Sequence, residues 1–193
     1  MSHFLPVKLE HASRLINHGP TVLVTSAHAG RRNVMAAAWS MPVEFTPPRI
    51  AIVIDKRTFT RELAAASGTF GVIVPGAAAM DMTYAVGTTD GRELDKFKAF
   101  GIETVEGPVL GLPLIEKNCA AWLECKLIDE KHTEDVYDTC FAEVVAAAAD
   151  PVVFSEGHWH LDESNEPLHT LHHLGAGNFV SASAMKKAKA LPR

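Results

Sequence analysis

Apolar residues alternate with polar ones, or form short unbroken runs, along most of this chain, and glycine, proline or charged residues separate the runs. Several runs are rich in β-branched residues, which is typical of strands buried on one or both faces. The clearest strand is 49–55 (RIAIVID). Further strands are predicted over 21–26, 69–75, 119–130, 136–149 and 158–161. Residues 33–40 (NVMAAAWS) fit a strand or a helix on pattern alone.

Helical spacing of apolar residues occurs only in short stretches. Residues 8–18 place Leu9, Ala12, Leu15 and Ile16 on one face. Residues 58–67 begin at Thr58, a good N-cap type, and end before Gly68. Two more short helices are predicted over 77–86 and 92–100.

The order of these elements indicates a mainly β fold. Strands 119–130 and 136–149 are predicted to form a hairpin, with the charged segment KHTED as its turn. Several strands at hairpin spacing, with a few short helices inserted, favour a small barrel. A doubly wound parallel sheet would need regular alternation of strands and helices, which the second half lacks. No linker or repeat divides the chain, so we expect one domain over 1–193.

Composition narrows the class of protein. The 193 residues are 47% hydrophobic and 21% charged, which suits a globular domain with its own core. A formal net charge of −5 argues against a general nucleic-acid binder. No stretch approaches the roughly 18 apolar residues of a membrane span, and the N-terminus lacks the pattern of a signal peptide. We therefore expect a cytoplasmic protein that contacts neither nucleic acid nor membrane.

Three cysteines, Cys119, Cys125 and Cys140, are an odd number without CxxC spacing. A disulfide framework and a zinc knuckle are therefore both disfavoured. We expect these residues to be buried free thiols.

Three segments have the residue types of a ligand site. The small side chains of 33–40 would let a flat ligand approach the backbone, and Trp39 offers a stacking surface. Residues 55–63 (DKRTFTREL) place hydroxyls and cations at a helix start, which is a favourable phosphate site. In 88–97 (TTDGRELDKF), Lys96 could neutralise a ligand anion. A close-packed core strand, an ordinary helix cap and a surface helix are the plainer alternatives.

Five histidines crowd the C-terminal quarter, which raises the alternative of a metal protein. They are His158, His160, His169, His172 and His173. The cluster lacks HExxH and any matching cysteine or carboxylate spacing, so we expect no metal site. A GxSxG motif is also missing, which disfavours a hydrolase.

Three of these segments, in this order, resemble the flavin reductase-like, FMN-binding split-barrel family, which includes flavoredoxin. They are NVMAAAWSMPVEFTPPRIAIVI, KRTFTRELAAASGTFGVIVP and TTDGRELDKFKAFGIE, and the predicted hairpin and the closing TLHHLGAGNF are similar too. The resemblance runs from about residue 18 to residue 181. It implies an FMN-binding split β-barrel with a few short inserted helices.

The resemblance also implies roles for individual residues. Asn33 and Trp39 would contact the isoalloxazine or the ribityl chain, and Lys96 would reach the flavin or its phosphate. The backbone of Met35, Ala36, Ala37 and Ala38 would line the flavin. Thr58 and Thr60 would bind the phosphate. His172 and Phe179 would complete the site, with His173 as an alternative to His172, and either Tyr137 or His132 would occupy the place of a histidine found near the ring in some relatives.

The implied function is that of an FMN-dependent oxidoreductase with NAD(P)H as electron donor. The flavin carries the redox chemistry, so no catalytic side chain is required. The protein would be a flavin reductase or a flavoredoxin-like electron carrier, serving an acceptor protein or a monooxygenase. Split barrels of this family are usually homodimers, so we expect a homodimer. A non-catalytic FMN-binding protein and, less favoured, a His-rich metal protein are the alternatives.

Overall fold

The computed structural model describes residues 2–189 and 191. Most of its regular structure is β. The strands are β1 Leu5–Pro6, β2 Val22–His28, β3 Arg31–Ala37, β4 Ser40–Phe45, β5 Pro48–Val53, β6 Thr69–Pro75, β7 Val105–Glu106, β8 Pro113–Leu114, β9 Cys119–Ile128, β10 Thr139–Ala149, β11 Phe154–Ser155, β12 His158–Trp159, β13 Leu171–Gly175 and β14 Asn178–Ser181. The helices are α1 Leu9–Ala12, α2 Phe59–Ser67, α3 Met80–Thr88, α4 Lys96–Ala99 and α5 Lys131–Tyr137. Short 3₁₀ turns cover Ser13–Leu15, Ala77–Ala79 and Glu163–Leu168.

One eight-stranded antiparallel sheet forms the body of the protein. Its order is β3-β2-β6-β9-β10-β5-β4, with β1 also paired to β10. Side chains from distant strands of this order, such as Ala37 on β3 and Ile52 on β5, belong to the same buried cluster. The sheet therefore curls around this cluster as a barrel, which is split where β3 and β4 form its two edges.

The central strands are buried on both faces. On β6, Phe70, Val72 and Val74 point into the barrel cluster, whereas Ile73 points into a second cluster. That outer cluster contains Phe97 of α4 together with residues of α3 and of the β7–β8 region. Burial on both faces explains the nearly continuous apolar runs in these strands.

Helix α2 forms where its local signals predict. The Thr58 hydroxyl accepts a hydrogen bond from the Arg61 N–H, and Gly68 ends the helix at φ 71°. A residue with a side chain would be strained in this left-handed conformation. The mainly β fold follows the pattern of the sequence. Of residues 33–40, which fit a strand or a helix on pattern alone, 33–37 lie in strand β3 and Ser40 begins β4.

Three local predictions were wrong. The KHTED segment is not a turn but lies in helix α5, and Tyr137 ends that helix instead of lying on a strand. The helix predicted over 92–100 is only Lys96–Ala99. Leu9 is largely exposed, whereas Ala12, Leu15 and Ile16 are buried as expected.

Candidate functional site

A groove runs between β3 and α3, and two cavities in it meet at Gly87. One cavity, of about 190 Å³, contains Asn33, Thr60 and Lys96. The other, of about 150 Å³, contains Ala36 to Ala38, Tyr84 and Phe179. We call them the cationic end and the apolar end of the groove.

The start of helix α2 forms one wall of the cationic end. Thr58 is committed to the helix cap, because its hydroxyl donates to the Asp55 carbonyl at 2.8 Å and accepts from the Arg61 N–H at 3.2 Å. The N–H groups of Phe59 and Thr60 lie in the first turn, where a helix offers them no acceptor. These two donors and the helix dipole favour an anion at this position.

Asn33 is held rigidly at the cationic end. Its Nδ2 donates to the Thr60 hydroxyl at 2.9 Å, and both side chains are buried. The Asn33 Oδ1 is also buried and has no hydrogen-bond partner among the described residues. Gly91 approaches so closely that a Cβ at this position would lie 2.0 Å from Oδ1. A buried acceptor without a donor is a group that a hydrogen bond from a ligand hydroxyl or N–H would stabilise.

Lys96 joins the two walls of the groove. Its Nζ donates to the Val34 carbonyl on β3 at 2.9 Å and to the Val86 carbonyl on α3 at 2.7 Å. An ammonium has three N–H donors, so one is left for a ligand. Burial lowers the pKa of Lys96 from 10.5 to about 8, although the nearby Asp90 carboxylate favours the charged form.

Two arginines complete the cationic end. Arg57 forms an exposed ion pair with Asp55, with 2.6 Å between Nη2 and Oδ2. Arg92 donates from Nη2 to the Arg57 carbonyl at 2.9 Å. Arg92 also pairs with Glu62 at 3.5 Å and with Asp90 at 3.7 Å, so the ammonium of Lys96 is the cation of this end that forms no ion pair among the described residues.

The apolar end is built differently. Ala36, Ala37 and Ala38 present small side chains, and the rings of Tyr84, His173 and Phe179 stand around them. The His173 and Phe179 rings lie 4.9 Å apart between centroids, on paired positions of β13 and β14. A flat apolar slot of this kind suits an aromatic ring system.

Comparison with known proteins identifies the family to which the chain belongs. The family model for the flavin reductase-like domain matches residues 14–164. The chain belongs to the flavin reductase-like domain family. It is 58% identical over 184 residues to the uncharacterized protein YddH of Escherichia coli (strain K12), covering 94% of this chain and 96% of that protein.

Solved structures agree with this family. The FMN-binding domain of a flavin reductases-like enzyme from Shewanella baltica superposes with a TM-score of 0.93 at 40% identity, over 96% of this chain and 97% of that one. Flavoredoxin of Desulfovibrio vulgaris (Miyazaki F) shares the fold, with a TM-score of 0.74 at 23% identity over 89% and 90% of the two chains. The resemblance inferred from the sequence and the split-barrel fold class are both confirmed.

Most of the predicted site residues of this flavin reductase-like protein lie in the groove. Asn33, Met35, Thr58, Thr60 and Lys96 line its cationic end. The apolar end is lined by Ala36, Ala37, Ala38 and Phe179.

The other predicted site residues lie elsewhere. Trp39 follows the groove wall but is 73% exposed and lines neither cavity. His172 packs near His18, with 5.8 Å between ring centroids, while His173 faces the groove. Burial, and then the proximity of His172, lower the pKa of His18 to about 4. Tyr137 and His132 lie on helix α5 and line neither end of the groove.

Sequence reasoning missed several residues of the groove. Tyr84 and Gly87 come from α3, which had been given no role, and Gly91 and Arg92 come from the loop before α4. In the segment 88–97, only Lys96 is predicted from the sequence to contact a ligand. The signal that could have identified Gly91 and Arg92 is their position beside each other in 88–97, the segment that also contains Lys96.

The molecule has other concave and polar regions outside this groove. A separate cleft, of about 800 Å³, lies between the β2–β3 turn and residues 104–113. No group of three or more His, Cys, Asp or Glu side chains within residues 2–189 and 191 is placed to hold a metal ion. None of the helices described for the chain has the length and apolar character needed to cross a bilayer. The three cysteines are buried and unpaired, as predicted, and burial raises the pKa of Cys119 to about 12 and of Cys140 to about 11.

Proposed function

We propose that this protein binds FMN in the groove and is an oxidoreductase that takes electrons from NAD(P)H. The observation that supports this best is the division of one groove into a cationic end and an apolar end. FMN has the same division, with a charged phosphate, a hydroxylated linker and a flat ring. Membership of the flavin reductase-like family makes this the ligand to test first.

The phosphate is proposed to bind at the start of α2. A phosphate monoester carries about −1.5 to −2 charges at neutral pH. The N–H groups of Phe59 and Thr60, the ammonium of Lys96 and the guanidinium of Arg92 all border this end. Thr60 accepts from Asn33 and keeps its own hydroxyl hydrogen to donate, whereas both functions of the Thr58 hydroxyl are occupied.

The ribityl chain is proposed to pass Asn33. Its buried Oδ1 needs a donor, and a ribityl hydroxyl is one. The hydrogen bond from Nδ2 to Thr60 fixes the amide, and Oδ1 faces Gly91 in the wall of the cationic end, where a ribityl hydroxyl is proposed to reach it. Gly91 leaves the space that this arrangement requires.

The isoalloxazine is proposed to lie against Ala36 to Ala38. Phe179 would flank it, Tyr84 would lie at its open side, and His173, in place of His172, would be the nearby histidine. Tyr84 is 45% exposed, which supports an accessible ring face where a nicotinamide can stack. When bound, FMN supplies the hydride and electron transfer, and the side chains of the protein hold and orient it.

We propose a homodimer formed through the β4 edge. The edge strand exposes Met41, Val43 and Phe45, and Trp39 is exposed next to it. An uncovered apolar edge strand favours pairing with a second chain. Phe45→Glu is expected to give a monomer in sedimentation at micromolar concentration, whereas a wild-type protein that is itself monomeric would contradict the proposal.

The electron acceptor is proposed to be a protein or a monooxygenase that uses the reduced flavin. Three buried, unpaired thiols are typical of a reducing compartment, which supports a cytoplasmic location. We also propose that residues 1–193 form one FMN-binding domain.

The first experiment is a visible spectrum of the purified protein, followed by titration with FMN and assay of NADH and NADPH oxidation. We expect flavin absorption or saturable FMN binding, and FMN-dependent oxidation of at least one nucleotide. Binding without oxidation would favour a non-catalytic FMN protein. No binding of FMN would contradict the proposed function.

A further inference from the structure

The hairpin formed by β13 and β14 is separate from the main sheet. Its two strands make a sheet of their own, and of residues 171–181, all of which the structure describes, only Leu171 is buried. Leu174 is 66% exposed and Val180 is 48% exposed. A two-stranded hairpin by itself is only marginally stable in water. Its position therefore depends on the contacts that it makes with the rest of the protein.

The base of the hairpin is bonded to the body of the protein. The Leu171 carbonyl accepts a hydrogen bond from the Thr21 N–H at 2.7 Å, and the His173 N–H donates to the Thr21 hydroxyl at 2.9 Å. Thr170, just before β13, forms a β-bridge with Gly76. Within the described part of the chain, the hydrogen bonds between hairpin and body all lie at this end. The base is therefore fixed, and the remainder of the hairpin extends from it.

The tip of the hairpin touches helix α3. Gly177 lies so close to the Tyr84 ring that a Cβ on this glycine would be 3.1 Å from Cε2 and 3.2 Å from Cζ. Gly177 also has φ 79°, a left-handed conformation in which a residue with a side chain would be strained. We call the contact between Gly177 and the Tyr84 ring the Tyr84 latch. Between the base and this latch, His173 and Phe179 face the apolar end of the groove.

The apolar end is small for the ring system proposed to lie there. Its volume is about 150 Å³, whereas pockets that bury a drug-sized ligand have about 300–1,000 Å³. Two of its walls, β3 and α3, are joined to each other because Lys96 donates to the carbonyls of Val34 and Val86. The hairpin is the third wall and is bonded only at its base. A flat ring of three fused cycles therefore enters most easily if the hairpin moves outward.

We propose that the β13–β14 hairpin is a flap that gates the apolar end of the groove, with its pivot at Thr21 and Thr170 and its closed position held by the Tyr84 latch. Outward movement admits the ring, and return places His173 and Phe179 against it. This inference rests on the proposed binding of FMN and concerns its entry and release. The latch joins two parts of the protein and no ligand atom, so its loss should ease both directions and leave the affinity nearly unchanged.

The first test measures the rates of FMN binding and release by stopped-flow quenching of flavin fluorescence. Tyr84→Ala is expected to raise both rates about 2- to 12-fold, the range for one lost ring contact, while their ratio stays nearly constant. Val180→Ala is the matched control. Val180 follows Phe179 on β14, pairs with His172 and is turned away from the groove, so this variant should keep the wild-type rates.

The second test needs no flavin. Amide hydrogen exchange in residues 171–181 is expected to be faster in Tyr84→Ala than in the wild-type protein and in Val180→Ala. Gly177→Ala changes the other side of the latch, since its methyl would push the tip away from the ring. It is expected to raise the exchange and both FMN rates in the same way.

Three results would overturn the inference: faster release of FMN without faster binding, rates in Tyr84→Ala equal to those of the wild type, or hairpin exchange that Tyr84→Ala leaves unchanged. Faster release alone would assign Tyr84 to direct contact with the flavin. A wild-type protein that binds no flavin would instead refute the proposed function, and the exchange measurement would still decide whether the Tyr84 latch holds the hairpin.

Discussion

The two ends of the groove differ in how firmly their side chains are held. At the cationic end, Lys96 bonds two carbonyls, Asn33 bonds Thr60, and Arg92 bonds the Arg57 carbonyl. At the apolar end, Tyr84 is half exposed and contacts are made mainly through rings and alanines. The side chains of the cationic end are held by hydrogen bonds, whereas the apolar end is held by packing and has a partly exposed ring in Tyr84.

From this difference we infer that the two ends of the groove have different roles, one in binding FMN and the other in turnover. Prearranged donors give affinity, because little side-chain freedom is lost on binding. An accessible apolar slot allows a nicotinamide or an electron acceptor to approach a flavin held from its other end. Changes at the cationic end should therefore alter FMN affinity, and changes at the apolar end should alter turnover.

The largest effect is expected from Gly91→Ala. The new Cβ would lie 2.0 Å from the Asn33 Oδ1, and Asn33 is held by Thr60. Overpacking at a buried site costs about 1–3 kcal/mol, so FMN affinity should fall about 5- to 150-fold if that cost is borne by the bound state. Fluorescence titration measures it.

A double-mutant cycle is the control for this collision. Asn33→Ala removes the amide that the new methyl would strike, so Gly91→Ala should have little further effect in that background. Losses that simply add in the double variant would show that the collision is not the cause.

Lys96→Met is expected to weaken FMN binding about 10- to 100-fold, as one charge-assisted contact to phosphate is lost. The midpoint potential of the bound flavin should change little, because Lys96 lies at the phosphate end and the charge of the phosphate does not change on reduction. Titration and redox potentiometry measure the two quantities.

Lys98→Met is the matched control, since Lys98 lies on the same helix and its side chain is 83% exposed. A lower potential in Lys96→Met with unchanged affinity would move Lys96 to the flavin ring.

FMN affinity should also decrease as the pH rises through about 8. The pKa of Lys96 is lowered to about 8 in the folded protein, so the ammonium that attracts the phosphate is lost above that pH. The decrease should approach tenfold per pH unit and be absent in Lys96→Met. A wild-type affinity that stays flat from pH 7 to pH 9 would exclude Lys96 from the phosphate site.

The lowered pKa of Lys96 affects the stability of the protein in the opposite direction to FMN affinity. The folded pKa of about 8 lies below the usual 10.5, so between these values the unfolded chain binds more protons. The contribution of Lys96 to the free energy of unfolding therefore rises with pH across this window.

The smallest effect on FMN binding is expected from Tyr84→Ala, at the apolar end. FMN affinity should change less than threefold or so, while the KM for NAD(P)H rises about fivefold through loss of roughly 1 kcal/mol of stacking. Tyr84→Phe keeps the ring and should behave as the wild type. A loss of FMN affinity as large as that of Lys96→Met would remove the distinction between the two ends.

Local signals predicted much of this fold, and tertiary contacts account for what they missed. Helix α2 has its cap at Thr58 and its stop at Gly68, and both are visible in the sequence. Helix α5 has no side-chain cap and is stabilised by Glu134, which pairs with Arg61 of α2 at 2.6 Å. Arg61 and Glu134 are 73 positions apart in the sequence. A helix of only seven residues that is stabilised by such a distant partner has no periodic pattern of apolar residues that would predict it.

The candidate site shows the same limit. Asn33, Thr60 and Lys96 were found because their segments have hydroxyls, cations and small residues in suggestive order. Gly91 matters only because Asn33 lies against it, and Tyr84 only because α3 packs on β3. The choice of His173 over His172 depends on which face of β13 turns to the groove, and two adjacent histidines give no indication of that.

The most direct test of the account is a crystal structure of the protein with FMN. The phosphate should accept hydrogen bonds from the first N–H groups of α2 and from Lys96, and a ribityl hydroxyl should donate to the Asn33 Oδ1. The ring should lie against Ala36 to Ala38. FMN bound in the 800 Å³ cleft, or bound in the groove with its phosphate at the apolar end, would contradict the central claim.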